Sequence, residues 1–264
     1  VALLLDRREN HYQQLLLREA RAAAAKHGLH LLEVEFADGS SWTQVESLNR
    51  CLREGRPDAL VILLAGEHWT RGPFERVVKA DLPVVLLNRL PAWVDDVRRD
   101  HPASLVAGVT PRQEGIGEIQ ARQALRLAPP GSYVLLVTGD AASQAATARR
   151  DGLRRSIGSE LRVHEIDGRW SAAAAEKALA EWFRIGADRD QRVELVVCHN
   201  DAMAAGVRAA LARQAATSGR PDLARTPVIG CDGTDEEGKA MVARGELMAT
   251  VMMPATTPAA FEIL

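Results

Sequence analysis

From end to end, short apolar runs alternate with longer amphipathic ones. The apolar runs are Val1–Leu5, His30–Glu35, Ala59–Leu64, Pro83–Leu87, Leu105–Gly108, Tyr133–Thr138, Arg162–Ile166, Leu195–Cys198, Val228–Cys231 and Ala249–Met253. Several are apolar throughout rather than at every second position, the pattern of strands buried on both faces of a parallel sheet. Between them, helical periodicity runs over Tyr12–His27, Trp42–Glu54, Gly72–Ala80, Arg112–Leu127, Ala145–Gly158, Ser171–Ile185, Asp201–Ala215 and Asp235–Arg244. Gly28 after Lys26 and His27 marks a helix stop, and Asp201 is placed to cap the helix it opens. Strict strand–helix alternation predicts a doubly wound α/β architecture.

A faint echo relates the two halves. Gly55–Leu64 and Gln191–Asp201 each join a helix to a buried strand. Leu82–Arg89 and Thr226–Gly233 each run Pro, apolar strand, polar pair. At 264 residues, with 47% hydrophobic content, the chain can fill two medium cores. The formal net charge is −2 and no basic block occurs, which argues against nucleic acid as a partner, because phosphate contacts need a basic face. No apolar run approaches the roughly 20 residues that span a bilayer. Val1 lies directly inside an apolar run and Leu264 inside a helical pattern, so both ends look trimmed. Cys51, Cys198 and Cys231 form no Cys-x-x-Cys pair and read as buried free thiols.

In open parallel sheets, ligands bind beyond the carboxyl ends of the strands. The residues there are Asp6–Asn10, Gly66–Trp69, Asn88–Arg89, Gly139–Ser143, Gly168–Trp170, His199–Asp201 and Asp232–Thr234. Amides, carboxylates, arginines and tryptophans recur. Amides and carboxylates serve vicinal hydroxyls, an arginine forks across two of them, and a flat ring covers the C–H face of a sugar. The plainer reading of any one of these residues is a helix cap.

Two segments are more specific. Val196–Leu211 (VVCHNDAMAAGVRAAL) and Val228–Val251 (VIGCDGTDEEGKAMVARGELMATV) resemble the type I periplasmic binding proteins, in particular the ribose-binding-protein-like sugar receptors of ABC transporters. Val84–Arg89 and Ala148–Leu153 are weaker matches. The resemblance implies two doubly wound parallel-sheet lobes joined by a multi-strand hinge. The first would hold residues 1–108 plus 254–264, the second 109–253, closing on a ligand by a hinge motion. It further implies ligand contacts from Asn10, Tyr12, Asn88 and Arg89 in the first lobe. From the second come Arg149, Trp170, Asn200 and Asp232, with Tyr12 and Trp170 as aromatic walls. Competing structural roles stand beside these: Tyr12 opening a helix, Trp170 anchoring a core, Arg149 pairing with Asp151, Asp232 capping the helix near Asp235.

The chain departs from that pattern in four places. Met253 stands where Gln is common, Asn88 replaces an acid, Gln13 replaces an aromatic, and Thr110-Pro111 replaces Asp-Asn at a hinge. The ligand expected is therefore a sugar, a sugar derivative or another small polar molecule. A membrane permease would be the protein partner, the location periplasmic or otherwise extracytoplasmic, and no cofactor, metal or catalytic residue is expected. Enzyme readings fail on their own motifs. Gly230 sits where the Cys231–Thr234 loop would need a nucleophilic Asp, and Gly115–Gln120 lacks the third glycine of a dinucleotide loop. The alternatives are the ligand-sensing domain of a LacI-type regulator or of a membrane sensor.

Overall fold

The computed structural model describes residues 1–54, 57–65, 71–186 and 192–264. The chain divides into two compact units, Val1–Pro111 with Pro254–Leu264, and Arg112–Met253.

The first unit is built from β1 (Ala2–Leu5), α1 (His11–His27), β2 (Glu33–Phe36), α2 (Ser41–Arg53), β3 (Leu60–Ile62), α3 (Arg71–Lys79), β4 (Val84–Leu87), α4 (Trp93–Asp100) and β5 (Val106–Val109). All its strand pairings are parallel, in the order β2-β1-β3-β4-β5. Alternate residues of the central strands serve opposite faces. Leu4, Leu60, Ile62, Val84 and Leu86 pack with Phe74 and Val77 on one side. Leu3, Leu5, Val61, Val85 and Leu87, facing the other way, are equally buried. That double burial is why these strands read as continuous apolar runs. The last helix, α10 (Thr257–Ile263), packs on α1. Tyr12 Oη donates to the Pro254 carbonyl at 3.0 Å, and Thr257 Oγ1 donates to the Leu16 carbonyl at 2.9 Å.

The second unit comprises α5 (Gln113–Leu127), β6 (Tyr133–Thr138), α6 (Gln144–Ile157), β7 (Arg162–Asp167), α7 (Ala172–Arg184), β8 (Val193–Cys198), α8 (Asp201–Ser218), β9 (Val228–Asp232), α9 (Gly238–Ala243) and β10 (Ala249–Met252). Its order, β7-β6-β8-β9-β10, is again all parallel. Numbered within each unit, both sheets run 2-1-3-4-5, so the faint echo between the halves is a repeated topology. Leu135, Val137, Val196 and Cys198 pack against α7 and α8, while Val134, Leu136, Leu195 and Val197 pack against α5 and α6.

The differences from the sequence reading fall at edges and caps. The strand expected over His30–Glu35 forms at Glu33–Phe36, an edge strand paired, among the described residues, with β1. Helix α4 was not foreseen; its few apolar positions, Trp93, Val94 and Val97, make a stripe too short to stand out. Helix α8 is capped by Asn200, whose side chain accepts from Met203 N at 2.9 Å, not by Asp201. Helix α9 starts at Gly238 rather than Asp235, without a side-chain cap, so Asp232 does not cap it. The Gly28 stop forms as expected, in the left-handed conformation.

Candidate functional site

Each unit gathers polar residues at the carboxyl ends of its own strands. In the first unit, Gln13 Oε1 accepts from the backbone N–H groups of Asp6 and Arg7, at 2.8 and 2.9 Å, and so shapes the turn after β1. That is what the amide does where an aromatic was expected. Asn10 caps α1, its Oδ1 accepting from Gln13 N at 3.0 Å. Tyr12 is buried and its hydroxyl is engaged by Pro254, so it holds the returning chain segment to α1. Asn88 has φ +59°, a left-handed conformation that Asn tolerates. Its Oδ1 accepts from Thr256 Oγ1 at 2.9 Å, and its carbonyl accepts from Thr110 Oγ1 at 3.1 Å. Arg89 donates to the Leu64 carbonyl at 2.8 Å and lies 3.5 Å from the buried Asp6 carboxylate. The expected contributors Gly66–Trp69 lie outside the described residues.

In the second unit, Arg149 of α6 is only 3% exposed. Its Nε donates to Gln113 Oε1 at 2.7 Å, its Nη1 to the His199 carbonyl, and its Nη2 to Met253 Sδ at 3.0 Å. The guanidinium also sits 5.2 Å from the Trp170 ring centroid. The surface pairing with Asp151 is made by Arg150 instead. Trp170 lies flat on the backbone of Gly139, where a Cβ would come within 1.9 Å of the indole, so residue 139 must lack a side chain. His199 lies beside that indole at 6.0 Å, fully buried. Its Nδ1 accepts from Gly139 N at 3.2 Å, which leaves the ring proton on Nε2. Burial, with the Arg149 and Arg150 charges, pushes the imidazole well below its ordinary pKa. Asn200 Nδ2 donates to the Trp170 carbonyl at 3.4 Å. Arg149, Trp170, His199, Asn200 and Met253 are thus one connected group, joined to Asp232 through its carbonyl, which accepts from Met253 N at 3.0 Å.

Asp232 ends β9 at φ +116°, a strained conformation for a residue with a side chain. It is 5% exposed, and its carboxyl receives no hydrogen bond from the described residues. Burial and the neighbouring Asp201 raise its pKa well above the carboxylate range, against the pull of Arg149. Asp201 itself is structural. Its carboxylate accepts from Gly233 N at 2.7 Å and from Thr250 Oγ1 at 2.8 Å, in a socket closed by Gly230 and Gly238, where a Cβ would meet it at 2.1 and 2.0 Å. Burial raises its pKa to about 7, and that of Glu237 to about 7 as well.

Buried amides were missed by sequence reasoning. Gln44 Nε2 donates to the Leu5 and Leu63 carbonyls at 3.3 and 2.9 Å, and its Oε1 accepts from Ala65 N at 2.7 Å. Gln120 Nε2 donates to the Cys198 and Gly230 carbonyls at 2.7 and 3.2 Å. The signal that could have found them is a polar residue on an apolar helical stripe: Gln44 with Leu48 and Cys51, Gln120 with Ile116, Ala121 and Ala124. Among the described residues, no group of three or more His, Cys, Asp or Glu side chains is arranged to hold a metal ion.

Solved structures share this fold. An ABC transporter solute-binding protein from Burkholderia multivorans, holding an unknown ligand represented as α-D-erythrofuranose, superposes with a TM-score of 0.82 at 19% identity, covering 99% of this chain and 89% of that one. The periplasmic binding protein of the arabinose ABC transporter from Shewanella sp. ANA-3, bound to L-arabinofuranose, gives 0.80 at 19%, covering 100% and 84%. A fructose-binding periplasmic domain of a hybrid two-component system gives 0.76 at 20%, covering 99% and 82%. No curated protein matches the chain significantly. Residues 1–258 match the model of the periplasmic binding protein domain, and the chain belongs to that family.

Proposed function

We propose that this protein is a solute-binding protein, not an enzyme, that captures a small polyhydroxylated ligand, a monosaccharide or sugar derivative. It would deliver that ligand to the permease of an ABC transporter from the periplasm. The two compact units, Val1–Pro111 with Pro254–Leu264 and Arg112–Met253, serve as its lobes, close to the division at residue 108 expected from the sequence. The observation that carries this reading is the connected group Arg149–Trp170–His199–Asn200–Asp232–Met253 at strand carboxyl ends, in a chain of the periplasmic binding protein family. Indole, amide, guanidinium and carboxyl are the groups that recognise a ring bearing hydroxyls. Asn10, Asn88 and Arg89 are the counterparts proposed from the first unit. Tyr12 contributes there by holding the segment after Met253 to α1 through the Pro254 carbonyl.

A thermal-shift screen over pentoses, hexoses, their derivatives and amino acids tests the reading. At a hundredfold excess over Kd the right ligand adds about 2.7 kcal/mol by mass action, a clear rise in melting temperature. Stabilisation by nucleotides or metal ions alone would overturn it. A second reading, the ligand-sensing domain of a membrane sensor, is favoured by the likeness to the fructose-binding periplasmic domain. The full-length gene product decides: a transmembrane helix followed by a signalling domain supports the sensor, a signal peptide the transport receptor.

A further inference from the structure

Among the described residues, Arg149 is a buried cation without a counter-charge. No described carboxylate lies within ion-pair distance of it, and every group it touches is neutral. Those groups are Gln113 Oε1, the His199 carbonyl, the Trp170 ring, Cys231 Sγ at 3.7 Å and Met253 Sδ at 3.0 Å. Two of these are sulfurs, which are weak acceptors. A guanidinium taken out of water and left unpaired is costly, and the attraction of an anion is the ordinary compensation. The arginine in the first unit's set, Arg89, has that compensation in Asp6 at 3.5 Å.

The surroundings of Arg149 extend the imbalance. Trp170 Nε1 and His199 Nε2 are buried and have no acceptor among the described residues. Since His199 Nδ1 already accepts from Gly139, its Nε2 is the nitrogen that bears the proton. Asp232 is near enough to feel the Arg149 charge but makes no ion pair with it among the described residues, and burial beside Asp201 pushes its carboxyl toward the neutral form. This end of the second sheet therefore holds a guanidinium with no ion-pair partner and two unmet N–H donors among the described residues, at the carboxyl ends of β8, β9 and β10.

We propose that the ligand is a sugar acid, whose carboxylate takes its place against Arg149 and displaces the Met253 sulfur as the partner of Nη2. The inference rests on the sugar-binding reading and narrows it. One guanidinium matches one negative charge, which favours a carboxylate over a doubly charged phosphate. The hydroxyls of the same ligand are left to Asn200 and Asp232.

Calorimetric titration with matched pairs tests this: D-glucose against D-glucuronate, D-galactose against D-galacturonate, and D-xylose against D-xylonate. In at least one pair the acid should bind about tenfold or more tightly than its neutral partner, as a charge-assisted hydrogen bond does over a neutral one. Arg149→Gln should bring the two members within about threefold of each other, the acid losing clearly more affinity than its neutral partner. If that variant does not fold, Arg149→Lys keeps the charge and loses the fork, and the wild-type pairs decide without either. Tighter binding of the neutral sugar, in the pairs or in the wider screen, overturns the sugar-acid assignment and leaves the sugar reading standing. Galactose 6-phosphate binding more tightly than galacturonate overturns the carboxylate assignment. No binding by any sugar, acid or neutral, overturns both readings.

Discussion

The two units repeat one topology, 2-1-3-4-5, yet they hold their strand ends together by different means. In the first, neutral amides and a matched ion pair do it. Gln13 fixes the turn after β1, Gln44 ties the ends of β1 and β3, and Arg89 faces Asp6. In the second, ionisable groups are buried without ion-pair partners among the described residues: Arg149 among neutral groups, His199 held neutral, and Asp232 beside the hydrogen-bonded Asp201. Among the described residues, the same backbone plan thus yields one sheet end that is largely satisfied, with Arg7 Nε the exception, and one that carries an unpaired guanidinium and several unmet polar atoms. Unmet polar groups in a dry place are expensive for folding and useful for binding. The second unit should accordingly be the one that responds to pH and to ligand charge.

The largest expected effect attacks the satisfied side. Gln44→Ala strands two carbonyls and one N–H that are now bonded in the interior, and should cost about 4 kcal/mol of stability. The amide staple in the second unit, Gln120, bonds the ends of β8 and β9, makes two bonds and leaves its Oε1 without a partner among the described residues. Gln120→Ala should therefore cost about half as much, roughly 2 kcal/mol. Urea denaturation of both variants measures the difference. Equal losses would mean that the number of satisfied bonds is not what separates the units.

Next in size is the response to pH. Folded Asp201 and Glu237 titrate near pH 7, whereas an unfolded chain gives up the same protons near pH 4. The folded state therefore holds protons that the unfolded state releases, and stability falls as pH rises from about 4 to 7, then levels off. His199 opposes this, because its imidazole is pushed down and the unfolded chain takes up that proton first below about pH 6.5. The acids outnumber it, so the melting midpoint should drop between pH 5 and pH 8. Asp201 alone should account for on the order of 3 kcal/mol. Asp201→Asn keeps an acceptor for Gly233 and Thr250 and should flatten the slope. A midpoint that rises from pH 5 to pH 8 would break the contrast between the units.

Much of this contrast could be read from residues in order, and some could not. The apolar runs over Tyr133–Thr138 and Pro83–Leu87 gave central strands directly, because double burial leaves no polar position to confuse the period. Edge strands differed. β7, expected over Arg162–Ile166, forms at Arg162–Asp167 despite carrying Arg162, Glu165 and Asp167, whereas β2 formed three residues later than expected at its start. The Pro–strand–polar echo correctly paired Asn88 with Asp232, the residue after β4 and the last of β9, both at positive φ. What the order of residues could not give was who satisfies whom. That Gln44 spans Leu5, Leu63 and Ala65, or that Arg149 reaches His199 and Met253, depends on contacts between segments tens of residues apart. Hydrogen bonding of that range leaves no local period.

Asp232→Ala is the third test. On the binding reading its carboxyl meets a ligand hydroxyl in a dry place, and losing it costs about 1–3 kcal/mol, at least tenfold in Kd. Because it now accepts no hydrogen bond from the described residues and sits at a strained φ, the free protein should lose little. Asp232→Gly, which relieves the backbone, should raise the melting midpoint while weakening affinity as much. A large loss of stability with unchanged affinity would remove Asp232 from the site.

The smallest expected effect compares two helix caps that look alike. Asn10 and Asn200 accept from Gln13 N and Met203 N at similar distances, 3.0 and 2.9 Å. Replacing either by Ala should cost about 1 kcal/mol of stability. Aspartate caps as well as asparagine, so Asn10→Asp and Asn200→Asp should both restore that loss. Their ligand affinities should differ. Asn200 also spends its Nδ2 on the Trp170 carbonyl, which helps hold the indole on Gly139, and an aspartate has no N–H to give. Asn200→Asp should therefore keep the helix and lose ligand affinity, while adding a charge that a sugar acid would resist. Asn10→Asp should show the smaller affinity loss, since no second bond of Asn10 positions an aromatic ring. Melting midpoints with ligand titrations on the four variants separate capping from recognition. If Asn200→Asp restores affinity along with stability, Asn200 is a cap alone, and recognition in the second unit falls to Arg149, Trp170 and Asp232.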